Sequence, residues 1–457
     1  MSAPMARLIA GSPRELSTVG IVSGLSATYG TVLLGASNIL SVYGQHRQGA
    51  PGLLLNVVAS VFIGIALFVS AIVISNGVDT VIAGRQTQLR LLRLIGADSA
   101  QLRRGLMTAV AQVSSIGAAA GIAVGLVGTY LVRVLLVARD TLPAGGYAIA
   151  PAGVIVVGIL MVLTATTAAY AGTRKTLESA AVAAAPRPRT GAVRKLVTIA
   201  LLVLGTLLLI AACLLGERAS MAGFVIAFLG TATSSLGILS GARWILPGIV
   251  AADGRVLGTG ASATVARKNA ISDPLRTTRS LLSILIGVTL VTTIAAGMSA
   301  LTRSVHTWDL SPAQAADTSR TLSAMSAILI ALVAISGVIA TVGFVSTMSL
   351  TVIARTREIG VLRALGFTAR QVRSMIIAES MALSGAAVAF GLVLGVLFGA
   401  VGAQSLIGSM SPGVTVGLPW GVIACIAAAT VLVVIVASIP PSRRAVAIDP
   451  VAALAEA

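Results

Sequence analysis

Charge is scarce in this sequence. Only 10% of its 457 residues are Asp, Glu, Lys or Arg, where soluble domains carry about 25%. The hydrophobic fraction is 56% and the mean hydropathy is +1.00, which excludes an ordinary water-soluble fold. Histidine is nearly absent: His46 and His306 stand singly, so neither a metal centre nor imidazole catalysis is expected. The two cysteines, Cys213 and Cys425, lie inside apolar runs and read as small packing residues rather than a disulfide. Lysine occurs three times, and no lysine follows a glycine. The G-x-x-x-x-G-K-[ST] loop that cradles nucleotide phosphates is therefore missing, and no ATP hydrolysis through a P-loop is expected of this sequence. No Ser/His/Asp set and no carboxylate pair falls in a plausible pocket, so an enzyme is not expected. No secretory signal is legible at the N-terminus: Arg7 and Arg14 are followed by no h-region with a cleavage site.

What is present is a series of long apolar runs. A transmembrane helix needs about 20 predominantly apolar residues, and ten such spans are predicted, at 17–40, 53–75, 107–136, 151–171, 196–215, 221–247, 279–300, 321–348, 375–402 and 418–439. The ~10-residue alternating segments of a membrane β-barrel are not seen. The expected fold class is thus an all-α integral membrane protein. Ser23, Ser26, Tyr29 and Ser37 make the first span polar for a lipid-facing helix, and it is expected to pack inside a bundle, where small and hydroxylated residues let helices approach. Otherwise the spans are nearly free of ionisable groups, which argues against proton-coupled transport. Glu379 is the nearest exception, read as a rim residue or the partner of an arginine.

The net charge of +18 lies almost entirely between spans. Alternate connections hold 26 and 6 of the 32 basic residues, so the richer set, with both termini, is assigned to the cytoplasm. The other connections are short. The longest, about Leu301 to Arg320, leaves no room for a large extracytoplasmic domain. Trp308, Trp420, Tyr43 and Tyr147 fall at outer span ends, where aromatic belts form.

The chain also repeats itself. "TVIAGRQTQLRLLRLIGADSAQLRRGL" from Thr80 parallels "TVIARTREIGVLRALGFTARQVRSMI" from Thr351. Leu92, Arg93 and Gly96 match Leu362, Arg363 and Gly366, and Gln101 and Arg103 match Gln371 and Arg373. "GAAAGIAVGLVG" and "SGAAVAFGLVLG" follow, and "TRKTLESAAVAAA" parallels "SRRAVAIDPVAAL". The layout read from this is a first, diverged four-span module (1–175), a cytoplasmic linker with two linking spans (176–260) and a second four-span module (261–457), both modules in one orientation.

The stretch "TREIGVLRALG" is too charged to span a bilayer. On a helical projection Ile359, Val361, Leu362, Leu365 and Gly366 share one arc, with Arg357 and Arg363 opposite. Gly366 is placed to stop this helix, and Thr368 to N-cap the next. The segment reads either as an interfacial connector or as a docking element for a cytoplasmic partner, and its recurrence favours docking. Glu358 lies within the apolar arc. It is either paired with Arg355 or with a partner's cation, or favoured as a first-turn carboxylate by the helix dipole. The first copy carries Gln88 there.

The stretch "ARTREIGVLRALGFTARQVRSMIIAES", the following "GLVLGVLFG", the ending "PSRRAVAIDPVAAL" and the entry "VARKNAISDPLRTTRSLL" resemble the FtsX-like permease family, which includes the MacB and LolC/LolE type ABC transporter permeases. The resemblance implies a permease working with an ATP-binding-cassette ATPase on a separate chain, which would hold the ATP and Mg; no cofactor is expected here. It places the ATPase-coupling element at Arg355, Arg357, Glu358, Ile359, Leu362, Arg363, Leu365, Gly366 and Arg370, and in the first copy at Gln88, Leu92, Arg93 and Gly96. Expected partners are the ATPase, in two copies, the bilayer of a bacterial cell membrane, and an amphiphilic substrate such as an antibiotic, peptide or lipid for export or extraction; nucleic acid is not expected. The alternative is a mechanotransmitting scaffold that relays ATPase motion to an external enzyme or sensor kinase.

Overall fold

The computed structural model describes residues 13–46, 99–138, 153–181, 190–220, 222–253, 274–305, 311–316, 319, 361, 363, 365–409, 413 and 415–447. Among them there are no strands. Eight long helices account for most of the chain described: α1 (Pro13–His46), α2 (Ser99–Ala138), α3 (Gly153–Ala181), α4 (Thr190–Glu217), α5 (Ala222–Asp253), α6 (Pro274–Ser304), α7 (Ala369–Ile407) and α8 (Trp420–Ala447). Eight of the ten predicted spans fall on these helices; those at 53–75 and 321–348 lie outside the described residues. Among the described residues, five helices are long and apolar enough to cross a membrane, over Arg104–Leu135, Ala192–Glu217, Ala222–Ala242, Ile284–Ser304 and Ala369–Ile407. The protein is therefore an all-α, multi-pass membrane protein. Rows of exposed aliphatic side chains, such as Val193, Leu196, Leu207 and Leu214 on α4, are the lipid-facing surface such a helix requires.

The chain forms two compact units, Met1–Pro188 and Arg189–Ala457. In the first, α1 and α2 approach until backbones touch. A Cβ on Gly117 or Gly121 would overlap the carbonyl oxygens of Gly20 and Gly24, and one on Gly125 would press on Thr31 and the Thr28 carbonyl. Small residues allow this contact, and dispersion then replaces lipid contact. Thr28 Oγ1 donates across the interface to the Gly121 carbonyl at 2.9 Å, and Ser23 Oγ to Ser114 Oγ at 3.2 Å. Ser23, Ser26 and Tyr29 are fully buried, as expected for a first span inside a bundle. α3 packs on this pair, with Gly153 against Leu34 and Gly158 against Ile122.

In the second unit α7 is the central helix, packed by α4, α5, α6 and α8. Half of its apolar window is buried, against 22% for α4. Its closest partner is α6. A Cβ on Gly391 would meet Val288 and the Leu285 carbonyl; one on Gly395, Thr292 and the Thr289 carbonyl; one on Gly399, Ala296 and the Thr293 carbonyl. Gly121 and Gly125 precede Gly391 and Gly395 by 270 residues, and their facing carbonyls, Gly24 and Thr28, precede Leu285 and Thr289 by 261. Each unit thus holds the same helix crossing in the same register. α2 and α7 also begin at equivalent positions, Ser99 and Ala369. The core of the second unit joins Ile238, Ala242 and Leu246 of α5, Leu281, Leu285 and Val288 of α6, Leu383, Ala387 and Val388 of α7 and Val434 of α8.

α4 and α5 form a hairpin within this unit. Gly205, Gly230, Gly237 and Gly241 let the two helices touch along their length, and Gly216 of α4 sits against Gln404 and Ser405 of α7. At the far end of α6, Arg303 donates from Nη1 and Nη2 to the carbonyls of Val416 and Leu418, both at 3.3 Å. The approach to α8 is thereby tied to α6, and Gly417 fits against the Ala296–Ala300 backbone. Neither cysteine forms a disulfide: Cys213 is half-buried, and Cys425 is exposed rather than packed as expected.

Candidate functional site

The segment singled out by its charge leads directly into α7. Residues 361 and 363 are helical, and Leu365 N donates to the Val361 carbonyl at 2.9 Å, placing these two side chains one turn apart on one face. The turn closes with Gly366 N donating to the Arg363 carbonyl at 3.0 Å. Gly366 has φ +97°, which a side chain disfavours, and it ends the helix as its position in the sequence predicts. Thr368 follows in extended conformation, φ −72° and ψ 155°, as the N-cap of α7. Gln371 N donates to Thr368 Oγ1 at 3.3 Å, and Thr368 N donates to Gln371 Oε1 at 2.9 Å. This reciprocal pair is a capping box. The sequence reading placed Thr368 but missed Gln371, although the T-x-x-Q spacing announces it.

Two turns are thus locked end to end by local chemistry alone. They present an outward apolar face. Leu365 is 74% exposed and Val361 41%, whereas Arg363 is half-buried. An amphipathic helix lying on its own protein would do the reverse. Arg370 and Arg373, among the first five residues of α7, are exposed as well. The described part of the site therefore offers two exposed aliphatic side chains, followed in sequence by two exposed arginines. Arg355, Arg357, Glu358, Ile359 and Leu362 lie outside the described residues, as do Gln88, Leu92, Arg93 and Gly96 of the first copy.

The segment sits on a firm base. Val372, Met375 and Ile376 on the first turns of α7 are buried, and Glu379 follows with 2% exposure. Glu379 is not a rim residue. It shares the packed face of α7 with Met375, Ile376 and Leu383, because positions four apart along a helix stack on one side. No group of His, Cys, Asp or Glu that could hold a metal occurs among the described residues.

The chain is 32% identical over 135 residues to the pyoverdine export ATP-binding/permease protein PvdT of Pseudomonas syringae pv. tomato, and at the same level to the protein of that name from Pseudomonas entomophila. Each match covers 30% of this chain and 20% of the relative, so the chain spans about a fifth of the length of the curated relatives it matches. The family model described as FtsX-like permease C-terminal matches twice, at residues 60–179 and 318–450. One match falls in each compact unit, and together they cover more than half of the sequence. The chain belongs to the FtsX-like permease family.

Proposed function

We propose that this chain is the permease subunit of an ABC transporter, driven by an ATPase on a separate chain that binds ATP and Mg. The exposed Leu365–Val361 ridge carries the reading: an apolar face held outward by a glycine stop and a capping box, rooted on the central helix of its unit. A partner's push there is delivered to the α6–α7 crossing, where the second unit is most tightly packed. Arg355, Arg357, Glu358, Ile359, Leu362, Arg363 and Arg370 stand around the ridge in sequence. Gln88, Leu92, Arg93 and Gly96 are the equivalent set in the first module, so one chain would engage two ATPases. The names of the relatives join an ATP-binding and a permease function, which supports the pairing.

In this reading the chain crosses a bacterial cell membrane ten times, as two four-span modules joined by a two-span linker, with both termini cytoplasmic. The basic residues that include the coupling segments mark that side. Short outer connections favour an amphiphilic substrate, such as an antibiotic, peptide or lipid, entering from the bilayer for export or extraction. The pyoverdine export for which the relatives are named fits that direction.

Co-purification tests the proposal. Expressed with its cognate ATPase, the wild-type chain should retain it, and Val361→Asp with Leu365→Asp should lose at least about tenfold, since each buried interface aliphatic contributes about 1.5–3 kcal/mol. Both side chains are exposed, so the substitution leaves the helix packing intact. Undiminished retention by this variant, and by Glu358→Lys with Leu362→Asp, would sink the docking assignment.

A further inference from the structure

The α4–α5 hairpin lies outside both segments matched by the family model. Its polar end is built rather than merely charged. Lys195 Nζ stands 5.8 Å from the centroid of the Trp244 ring, within cation–π range. One residue earlier, Arg194 Nε donates to the Ser240 carbonyl at 3.2 Å. The two helices are in contact at this level, where Gly241 admits the Thr198 side chain, so both cations and the indole are fixed to one rigid pair of helices. Arg194, Lys195 and Trp244 are all exposed.

The setting is that of a lipid headgroup. Leu196 to Leu215 is a predominantly apolar run of 20 residues without a charge, about 30 Å of helix at 1.5 Å per residue, which matches a bilayer's hydrocarbon core. Arg194 and Lys195 therefore stand where the hydrocarbon ends. Below them Leu196, Val197 and Ile199 are exposed and offer a surface for acyl chains. The charge is one-sided: between Arg187 and Trp244 the only acidic residue is Glu217, at the other end of α4. Arg187, Arg189 and Arg243 add to the basic balance of the same stretch of sequence. Lys195 keeps its ammonium donors while lying over the ring, and an ammonium is a point charge suited to phosphate.

We infer that the Arg194–Lys195–Trp244 cluster is a binding site for an anionic phospholipid, its phosphate between the two cations and its acyl chains along the exposed face of α4. Basic residues at the membrane surface enrich anionic lipid by about five-fold each. The site uses no residue of the coupling segment, so it stands or falls apart from the transport reading.

Trp244 is its own reporter once Trp308 and Trp420 are replaced by Phe in the full chain. Reconstituted in phosphatidylcholine containing brominated phosphatidylglycerol, its fluorescence should be quenched as though that lipid were enriched at least about five-fold over brominated phosphatidylcholine at equal mole fraction. Arg194→Gln with Lys195→Gln should bring the two quenchers level, while Lys195→Arg should keep the preference. A chain retaining only Trp420 should show none. Equal quenching of Trp244 by both lipids, or a preference that survives the double substitution, would overturn the site. So would its loss on adding inorganic phosphate, which would reassign the cluster to a soluble anion.

Discussion

Gly366 shows how a single residue fixes the geometry of the candidate coupling segment. Its φ of +97° costs an L-residue about 1–2 kcal/mol, and a Cβ there would meet no atom within 4 Å, so the whole penalty is backbone strain. Gly366→Ala should accordingly destabilise the turn by about 1–2 kcal/mol, read as faster hydrogen exchange of the amides at 365–368. Gly402→Ala is the contrast. It also has open space around it but sits within α7, where alanine gains up to about 1 kcal/mol of helix propensity, so its melting temperature should hold or rise. Gln404 behaves oppositely to both. Its side chain is buried at 1% exposure with neither Nε2 nor Oε1 hydrogen-bonded, an arrangement that costs about 1–3 kcal/mol. Gln404→Met should raise thermal stability by about 1–2 kcal/mol, and a fall in melting temperature would show that the carboxamide is satisfied in the membrane. The sequence announced the stop at Gly366 but neither the open space at Gly402 nor the burial of Gln404. Glycine before a T-x-x-Q cap is a local signal. The burial of Gln404, like that of Glu379, depends on which helices lie alongside, and no single-chain pattern carries that.

At the scale of elements, hydropathy located the helices well and their ends poorly. α1 and α2 both run beyond their predicted spans of 17–40 and 107–136, reaching 13–46 and 99–138. An apolar window sees the hydrocarbon and not the helical turns that continue into headgroups and water. Pairing was less legible still. The glycines of "GAAAGIAVGLVG" and "SGAAVAFGLVLG" were visible as small residues, but which carbonyl each one admits follows only from the crossing of two helices. That crossing makes a matched prediction. Gly121→Val and Gly391→Val stand at equivalent places, one against the Gly24 carbonyl and one against Val288 and the Leu285 carbonyl. Each should loosen its own unit by about 3 kcal/mol, the upper range of overpacking, seen as a lowered melting temperature in detergent. Gly128→Val, where a Cβ finds open space, should change little. A large loss at Gly391 with none at Gly121 would mean that the two crossings are not equivalent.

At the scale of the whole molecule the repeat is unequal. Gln404 and Ser405 of α7 are buried under Gly216 of α4, whereas Val134 and Leu135, the residues of α2 270 positions earlier, are exposed at 46% and 56%. The hairpin that belongs to the second unit covers a helix end that has no such cover among the described residues of the first. Among these residues α7 also has four packing partners and α2 has two. Stability should therefore be divided unevenly along the chain. α3 ends at Ala181 and α4 begins at Thr190, so the connection between them can be cut without breaking either helix. Expressed separately, residues 189–457 should remain helical and monodisperse and should melt at a higher temperature than residues 1–188, because burial of apolar surface scales with the packing partners of the central helix. Circular dichroism and size exclusion of the two purified halves measure this directly. A first half that melts as high as the second would mean that its stability comes from contacts other than the α1–α2 crossing, and a second half that aggregates alone would mean that the two units fold only together.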